Sequence, residues 1–445
     1  MRAASAAAFW RKACACRRCA RISIDRDAGL AAEGLRSVGV EPRRVRLCAT
    51  AQEASAAWEA GDFIAAADLE TVIGLPFEVL VEATGKPEAG ARHCRIGIEA
   101  GRHIALVSKE VDSVIGPGLG HAARQRGCVV TPVDGDQPSL LIGLITWAEV
   151  LGFEIIAAGK SSEYDFVFDA GTGRLTSNAQ TVDVPGFKAL WERGDRSAGE
   201  LAAARSQAAS ALPQRAVPDL CELQIVINAT GITPDRPDFH APIARIPEVP
   251  DLLATAADDG LLAGGRRADV FHCLRAPNEV SLAGGVFVVV RCDDAASWRM
   301  LAEKGHVVSR NGRTAMLYLP RHLLGLEAAT SVLEAAIHGV SSGGIEPRPH
   351  YDLVARADRD LIAGTILAMG GHHHTIDGTS AELHQATPLT GKNPAPFYLA
   401  ADARLTRNVA KGAVITAADI ELSHAPELTA LRRAQDEAFF SSAIT

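Results

Sequence analysis

The sequence predicts an α/β protein built on a parallel sheet, and three observations point there. Apolar runs recur at an even pitch: Phe77–Glu82 (FEVLVE), His103–Val107 (HIALV) and Cys128–Pro132 (CVVTP). Each is followed by a polar or glycine-bearing turn and then a helical pattern, as βαβ units require. A further run, Phe153–Ala158, repeats the arrangement and ends in Gly159-Lys160. Ligands of such sheets sit beyond the carboxyl ends of the strands. There lie Ala83-Thr84-Gly85, Ser108-Lys109-Glu110 and Val133-Asp134-Gly135-Asp136-Gln137. The reading therefore gathers two lysines, several acids and small residues on one rim.

At 445 residues the chain is long enough for two or three domains. A net charge of −8 argues against a nucleic-acid partner, because phosphate binding needs a basic surface. No apolar run reaches the roughly 18 residues of a membrane span. The basic N-terminus lacks the apolar core of a signal peptide. Nine cysteines without regular spacing fit reduced thiols. A cytoplasmic protein with no membrane partner is expected.

Taken in order, Cys14, Cys16 and Cys19 stand among arginines. A zinc site needs about four ligands, and no fourth lies near, so thiols on a short helix are the plainer reading. Arg21–Asp25 reads as a strand ending in an acid, and Ala28–Ser37 as a helix. A dinucleotide-binding domain opens with a strand and a G-x-G-x-x-G turn. The acid ending its second strand follows about 20 residues later. Asp25 fits that acid, although many strand-end aspartates only cap helices. Residues 3–8 are Ala-Ala-Ser-Ala-Ala-Ala, with no glycine. The expectation is a chain that starts late, without its first strand and glycine turn.

Residues 50–60 read as a helix and Ala65–Gly74 as a short one. Glu88–Ala100 reads as a helix with Gly101 as its C-terminal cap. Gly116–Gly127 contains the next, and Pro138 opens another that runs through Leu151. Beyond residue 160 the pattern becomes α+β. Ala198–Ala211 reads as a helix, Glu222–Asn228 as a strand and Ala229-Thr230-Gly231 as the turn after it. Gly285–Cys292 and Thr314–Leu319 read as strands, Leu323–His338 as a helix and Ser341–Pro349 as a linker. In the tail, Arg356–Thr365 is echoed by Leu405–Val414. His372-His373-His374 cannot all face one metal, which favours a solvated loop.

Lys109 directly follows an apolar strand, with Glu110 beside it. Such a lysine can hold a substrate carbonyl or hydroxyl near a nicotinamide and move its proton, if burial lowers its pKa. The bland alternative is a surface lysine at a loop start. Lys160 follows the same logic, and the two together could bind a phosphate or carboxylate. Asp134, Asp136 and Gln137 occupy a strand-to-helix turn. Capping the helix needs only one of them, which leaves the others for substrate binding or general-base work. No full ligand set supports a metal there. Asn228–Gly231 is a second site loop or an ordinary turn; His322 is a helix cap or a site residue.

The segment Ala100–Lys109 (AGRHIALVSK) resembles the homoserine dehydrogenase family, whose lysine at that place is functional; the resemblance carries onto Lys109. The wider chain is similar to homoserine dehydrogenase-like proteins with a C-terminal SAF domain. That branch includes enzymes similar in activity to 1-deoxy-D-xylulose 5-phosphate reductoisomerase. The matching stretches are Glu82–Gly85 (EATG), Lys109–Asp112 (KEVD), Gly116-Pro117, Gly135–Ser139 (GDQPS), Ala158–Lys160 (AGK), Asn228–Gly231 (NATG) and His322–Glu327 (HLLGLE). They span most of residues 60–425, and the tail 355–420 resembles the SAF module. Two departures stand out. Gln137 replaces an acid of the reductoisomerase-like members, and Ser-Ser-Glu-Tyr-Asp follows Lys160.

Residues and resemblance together imply three domains. Residues 1–132 form a Rossmann-like dinucleotide-binding domain lacking its first strand. Residues 133–345 form an α+β catalytic and dimerisation domain, and residues 346–445 a small β-rich SAF-like domain. The implied activity is an oxidoreductase of CH–OH groups that uses NAD or NADP on a small hydroxy or oxo substrate. A homodimer is expected by family analogy. Lys109, Lys160, Asp134 and Asp136 are the catalytic candidates. Glu110, Gln137, Ser139, Ser161 and His322 would bind substrate. Asp25, Arg26, Ala83, Thr84, Gly85, Lys86 and Ser108 would bind cofactor. Arg26 suits a 2′-phosphate and Asp25 opposes one. The rival from another class is a non-catalytic protein that keeps the fold and binds a sugar acid.

Overall fold

A computed structural model describes residues 20–371 and 375–441. Cys14, Cys16, Cys19, the glycine-free stretch 3–8 and His372–His374 lie outside the described residues. The chain is mixed α/β with parallel sheets. It divides into two compact units, Met1–Asp136 with Leu323–Glu346, and Gln137–His322 with Pro347–Thr445. No helix among the described residues is long and apolar enough to cross a membrane.

The first unit carries two three-stranded sheets. β1 (Ile22–Ile24), β2 (Val45–Cys48) and β3 (Phe63–Ala66) pair in the order β1-β3-β2. β4 (Val79–Glu82), β5 (His103–Leu106) and β6 (Val130–Pro132) pair in sequence order. Every pairing in both sheets is parallel. The connecting helices are α1 (Ala28–Ser37), α2 (Ala51–Glu59), α3 (Pro87–Glu99) and α4 (Lys109–Arg124). Local chemistry starts them. The Asp27 carboxylate caps α1 by accepting the Gly29 N–H at 2.7 Å, and Thr50 with Glu53 forms a capping box on α2. Gly101, at φ +73°, closes α3 as expected.

Sheet β4-β5-β6 is covered on both faces. Gly97 of α3 sits so close that a Cβ there would fall 2.6 Å from Ile104 Cδ1. Side chains alternate along a strand, so Val79, Val81, Ala105 and Val107 face the other way. They pack with Val133, Leu324, Ala328 and Val332, which belong to or adjoin the helix Ala328–His338 and the loop after β6. One expectation fails in this unit. Ala65–Gly74 is not a helix: its first two residues end β3 and the rest is turns. Alanine is the best helix former, but β3 is the central strand of its sheet, and its buried alanines Ala65 and Ala66 lie between two neighbours.

The second unit is built on a ten-stranded mixed sheet. Its strands are β7 (Glu154–Ser161), β8 (Phe166–Asp169), β9 (Arg174–Ser177), β10 (Gln180–Asp183), β11 (Thr233–Pro234), β12 (Ile243–Ala244), β13 (Arg267–Arg275), β14 (Val286–Arg291), β15 (Val307–Val308) and β16 (Ala315–Leu319). The main path is β10-β9-β8-β13-β7-β14-β16-β15. Helices α5 (Gln137–Val150), α6 (Ala198–Ala208) and α7 (Val217–Thr230) belong to this unit. β7 runs parallel to β13 and antiparallel to β14. It is therefore not a fourth strand of the β4-β5-β6 sheet, and the four-strand rim read from the sequence reduces to three.

Glu222–Asn228 is not a strand but the middle of α7. Residues 219–228 of that helix are all buried. A helix wrapped on every side has no polar stripe to betray its period, and its β-branched run imitates a strand. Gly231 ends the helix at φ +69°. Asn228 anchors the tail: its Oδ1 accepts the N–H groups of His350 and Tyr351, both at 2.9 Å. Its Nδ2 donates to the Tyr351 carbonyl at 3.1 Å. From there runs β17 (Tyr351–Ala357); after the short pair β18 (Met369–Gly370) and β19 (Thr375–Ile376) comes β20 (Thr379–Gln385), antiparallel to β17.

The sequence echo in the tail is a spatial one. Leu361 and Val409 exchange both backbone hydrogen bonds. Asp360 accepts the Lys411 N–H, and the equivalent Asn408 accepts the Ala363 N–H, each at 2.8 Å. Gly364 donates to Leu405 and Gly412 to Ala357. Equivalent residues swap partners throughout, so the two copies pair about a local two-fold axis.

Asn228→Ala should strand the N–H groups of His350 and Tyr351 and lower stability by about 2–3 kcal/mol. Denaturant midpoints will measure the loss, and limited proteolysis should move its first cut toward residue 350.

Candidate active site

In the first unit, three strand ends bring the sequence-predicted residues together. At the end of β4, Glu82 is buried and accepts the Thr84 N–H at 3.0 Å and the Thr84 hydroxyl at 2.6 Å. Burial pushes its carboxyl up, but hydrogen bonds from His93, Ser108 and Thr84 outweigh that and hold it below the usual range. Gly85, at φ +62°, turns the chain where a side chain would be strained. Its N–H donates to Ser108 Oγ at 2.7 Å, which ties the β4 loop to the end of β5. Ala83, Thr84 and Lys86 are exposed around that turn.

Past β5, Lys109 is the first residue of α4 rather than part of a loop. Its ammonium lies 3.0 Å from Asp136 Oδ1, in the turn past β6, and its side chain keeps 26% exposure against 4% for Asp136. Glu110, one residue on, is buried. The Asp134 N–H donates to Ser331 Oγ at 2.7 Å, which fixes the turn. Asp25 and Arg26 are exposed at the carboxyl end of β1, where Asp25 Oδ1 accepts the Asp27 N–H at 3.1 Å.

Sequence reasoning missed Asp112 as a site residue. It lies one helical turn after Lys109, on the same side of α4. Its carboxyl fills the room left by Gly116: a Cβ on Gly116 would fall 1.8 Å from Asp112 Oδ1. Burial, then the negative charge of Asp136, raise its pKa from 3.8 to about 7. The KEVD motif contains it, but nothing in the motif announces its environment.

The second unit holds the other predicted residues. Lys160 lies inside β7, not past its end, and is fully buried. Its ammonium is 2.8 Å from Asp219 Oδ1 and bonds Glu222 Oε2 as well. Both acids project from α7. Desolvation would lower the lysine pKa, yet the charges of Asp219, Glu222 and Glu163 outweigh it and raise it. The expectation of a lysine poised to lose its proton is thus reversed at this position. The next hydroxyls, Ser161 and Ser162, are fully buried and have no hydrogen-bond partner among the described residues. Gln137 and Ser139 are buried in the first turn of α5. His322 Nδ1 lies 3.0 Å from the Gly284 carbonyl. A Cβ on Gly284 would fall 2.6 Å from the His322 ring. Asn228–Gly231, left open between site loop and turn, is the helix end and tail anchor described above.

Among the described residues, no group of three or more His, Cys, Asp and Glu side chains could hold a metal ion.

Residues 217–328 match a family model described as "Oxidoreductase DRL, catalytic domain". The matched stretch contains Asp219, Glu222, Asn228 and His322, and it supports a general oxidoreductase function for the chain. No curated protein matches the chain. Among solved structures, an oxidoreductase from Bacillus cereus is similar at 11% identity and a TM-score of 0.30, over 67% of this chain and 82% of that one.

Lys160→Met should strand two buried carboxylates and destabilise the protein by about 3–5 kcal/mol at neutral pH. The deficit should shrink in acid as the carboxylates protonate, which pH-dependent unfolding will read. Asp112 has the opposite sign. Its folded pKa of about 7 lies above its ordinary 3.8, so folding loses stability as pH rises through that window. Asp112→Asn should therefore raise the unfolding midpoint above pH 7 and leave it unchanged below about pH 4.

Proposed function

We propose that this chain is a nicotinamide-dependent oxidoreductase that moves a hydride to or from a small hydroxy or oxo substrate. The observation that carries this reading is the Lys109–Asp136 pair at the carboxyl edge of the parallel β4-β5-β6 sheet. That edge is where α/β sheets hold nucleotides and substrates. The match of residues 217–328 to an oxidoreductase catalytic domain supports the reaction class.

The residues of the first unit suit the cofactor chemically. Asp25, exposed at the carboxyl end of β1, suits ribose hydroxyls. Thr84, Gly85 and Lys86 lead into the N-terminus of α3, with Lys86 at its N-cap, a setting that favours phosphate. Bound there, the nicotinamide supplies or takes the hydride. Lys109 would donate a proton from Nζ to the substrate oxygen in reduction and withdraw it in oxidation. Asp136 would hold that ammonium in place. Glu110 and Ser108 would bound the site on its β5 side. In the second unit, the permanently charged Lys160 supports an electrostatic and positioning role rather than proton transfer. Within the second unit, Gln137, Ser139, Ser161 and His322 are proposed as polar contacts for a small molecule. NAD and NADP both fit, because Asp25 and Arg26 act in opposite senses on a 2′-phosphate.

Fluorescence titration with NADH and NADPH tests the reading. Saturable binding of at least one is expected, and binding of neither would defeat the proposal. A screen of small hydroxy acids, aldehydes and sugar phosphates then identifies turnover. Lys109→Ala should cut kcat by about 100-fold or more while leaving nucleotide affinity within a few-fold; retained kcat would remove Lys109 from the chemistry.

A further inference from the structure

Asp136 meets Lys109 from a four-residue turn, and that turn is held by a segment that rejoins the first unit late in the chain. The Asp136 N–H donates to the Val133 carbonyl at 3.3 Å, which closes Val133–Asp136. Gly135, third of the four, has φ +80°, whereas Asp134 before it lies outside the left-handed region. That combination is a type II turn, which favours glycine at this place. Space demands glycine as well: a Cβ on Gly135 would fall 2.7 Å from the Leu323 carbonyl oxygen and 3.0 Å from Glu327 Cβ. Such a turn bonds only its last N–H internally, so the N–H of its second residue needs an acceptor from outside. For Asp134 the acceptor is Ser331 Oγ at 2.7 Å, 197 residues further along. Ser331 belongs to the helix Ala328–His338 and is 1% exposed, so bulk water does not replace it there. Ala328 and Val332 of the same helix share an apolar cluster with Val133. Just beyond the helix, the Ser342 N–H donates to Thr131 Oγ1 at 3.0 Å and the Ser342 hydroxyl to the Pro132 carbonyl at 2.9 Å. The segment thus grips β6 with one end and the turn after β6 with its helix.

We infer that Ser331 is a positioning residue for the Lys109–Asp136 pair. Its hydroxyl oxygen sets the turn that carries Asp136, and the Asp136 carboxylate sets the Lys109 ammonium 3.0 Å away. The inference rests on the oxidoreductase reading, because the place of that ammonium matters only if it meets a substrate oxygen. No proton moves at Ser331, and its contribution is geometric. Without the acceptor, the Asp134 N–H has to turn toward another partner, and the carboxylate of Asp136 stands only two residues from the peptide that turns. A displacement on the order of 1 Å at reacting groups costs about 100-fold in rate. An oxygen on a helix is held by that helix's own backbone bonds, so it fixes the turn more closely than a water molecule would.

Two variants separate positioning from packing. Ser331→Ala removes the acceptor from the turn. Ser342→Ala removes a bond to β6 and leaves the turn's own bonds in place, so it controls for lost stability. The Lys109 side-chain nitrogen, followed by NMR in the intact chain without substrate, gives the first readout. Asp136→Asn marks where that signal lies once the pair is broken. Ser331→Ala should carry the signal most of the way toward the Asp136→Asn position, Ser331→Thr should return it to the parent position, and Ser342→Ala should leave it unmoved. In turnover, Ser331→Ala should lower kcat about 10-fold and leave KM within a few-fold. An unmoved Lys109 signal in Ser331→Ala overturns the inference. An equal shift in Ser342→Ala overturns it too, because Ser331 would then only pack. A shifted signal with kcat unchanged ends the role in the reaction. Hydrogen exchange in the parent decides without any variant, should Ser331→Ala not fold: the Asp134 amide should exchange about 100-fold or more slowly than an open one, and free exchange overturns the inference. Failure of nicotinamide binding would show separately, in the nucleotide titration, and would leave the NMR and exchange results standing.

Discussion

A cation stripped of water must keep carboxylates within bonding distance, or the fold that buries it does not survive. Three fully buried cations among the described residues of the second unit obey this constraint. Lys160 of β7 meets Asp219 and Glu222 of α7. Arg205 of α6 takes Glu248 in a two-pronged grip at 2.5 and 3.0 Å and collects the carbonyls of Leu190, Trp191 and Ile243. Arg432, in the helix Pro426–Phe440, grips Asp352 of β17 with two bonds of 2.7 Å and Asp436 with one of 2.9 Å. The Lys160–Glu222, Arg205–Glu248 and Arg432–Asp352 pairs each join elements distant in sequence. Apolar packing alone would tolerate sliding between them; a planar guanidinium or a cornered ammonium does not.

The first unit places its charge differently. Lys109 keeps part of its side chain in water, and its partner Asp136 is nearly buried. An ammonium of this kind can meet an incoming molecule, which the enclosed Lys160 cannot do without rearrangement. In the same unit two carboxyls diverge, Glu82 buried and Asp112 half-buried. Glu82 is surrounded by donors and stays ionised, whereas Asp112 faces another acid and holds its proton to about neutral pH. Opposite environments have driven two like groups apart, the arrangement from which acid–base assignments are ordinarily read.

The tail shows how a duplicated pattern becomes a structure. Each copy presents its glycine N–H to the other copy's strand and its Asp or Asn side chain to the other copy's backbone. These groups of each copy find their partners in the other, so each completes the other. Asn228, from α7, then supplies the backbone partners at the start of β17.

The sequence by itself determined the elements whose signal is local. The β4, β5 and β6 runs, the helices between them, the Gly101 cap and the tail echo are all written in spacing and turn chemistry. Lys109 was legible for the same reason, since its place depends only on the strand before it. What failed depended on neighbours far along the chain. The β3 alanines became a strand because two other strands flank them. The α7 run became a helix because it is buried on every side. Lys160 looked like a strand-end lysine, and only contact with a helix 62 residues away made it an enclosed, permanently charged group. Asp112 looked like an ordinary first-turn acid, and only burial and the approach of Asp136 gave it a proton to hold. Short-range pattern reports backbone preference, whereas charge state is set by what the fold brings within a few ångströms, and that was decided by tertiary structure alone.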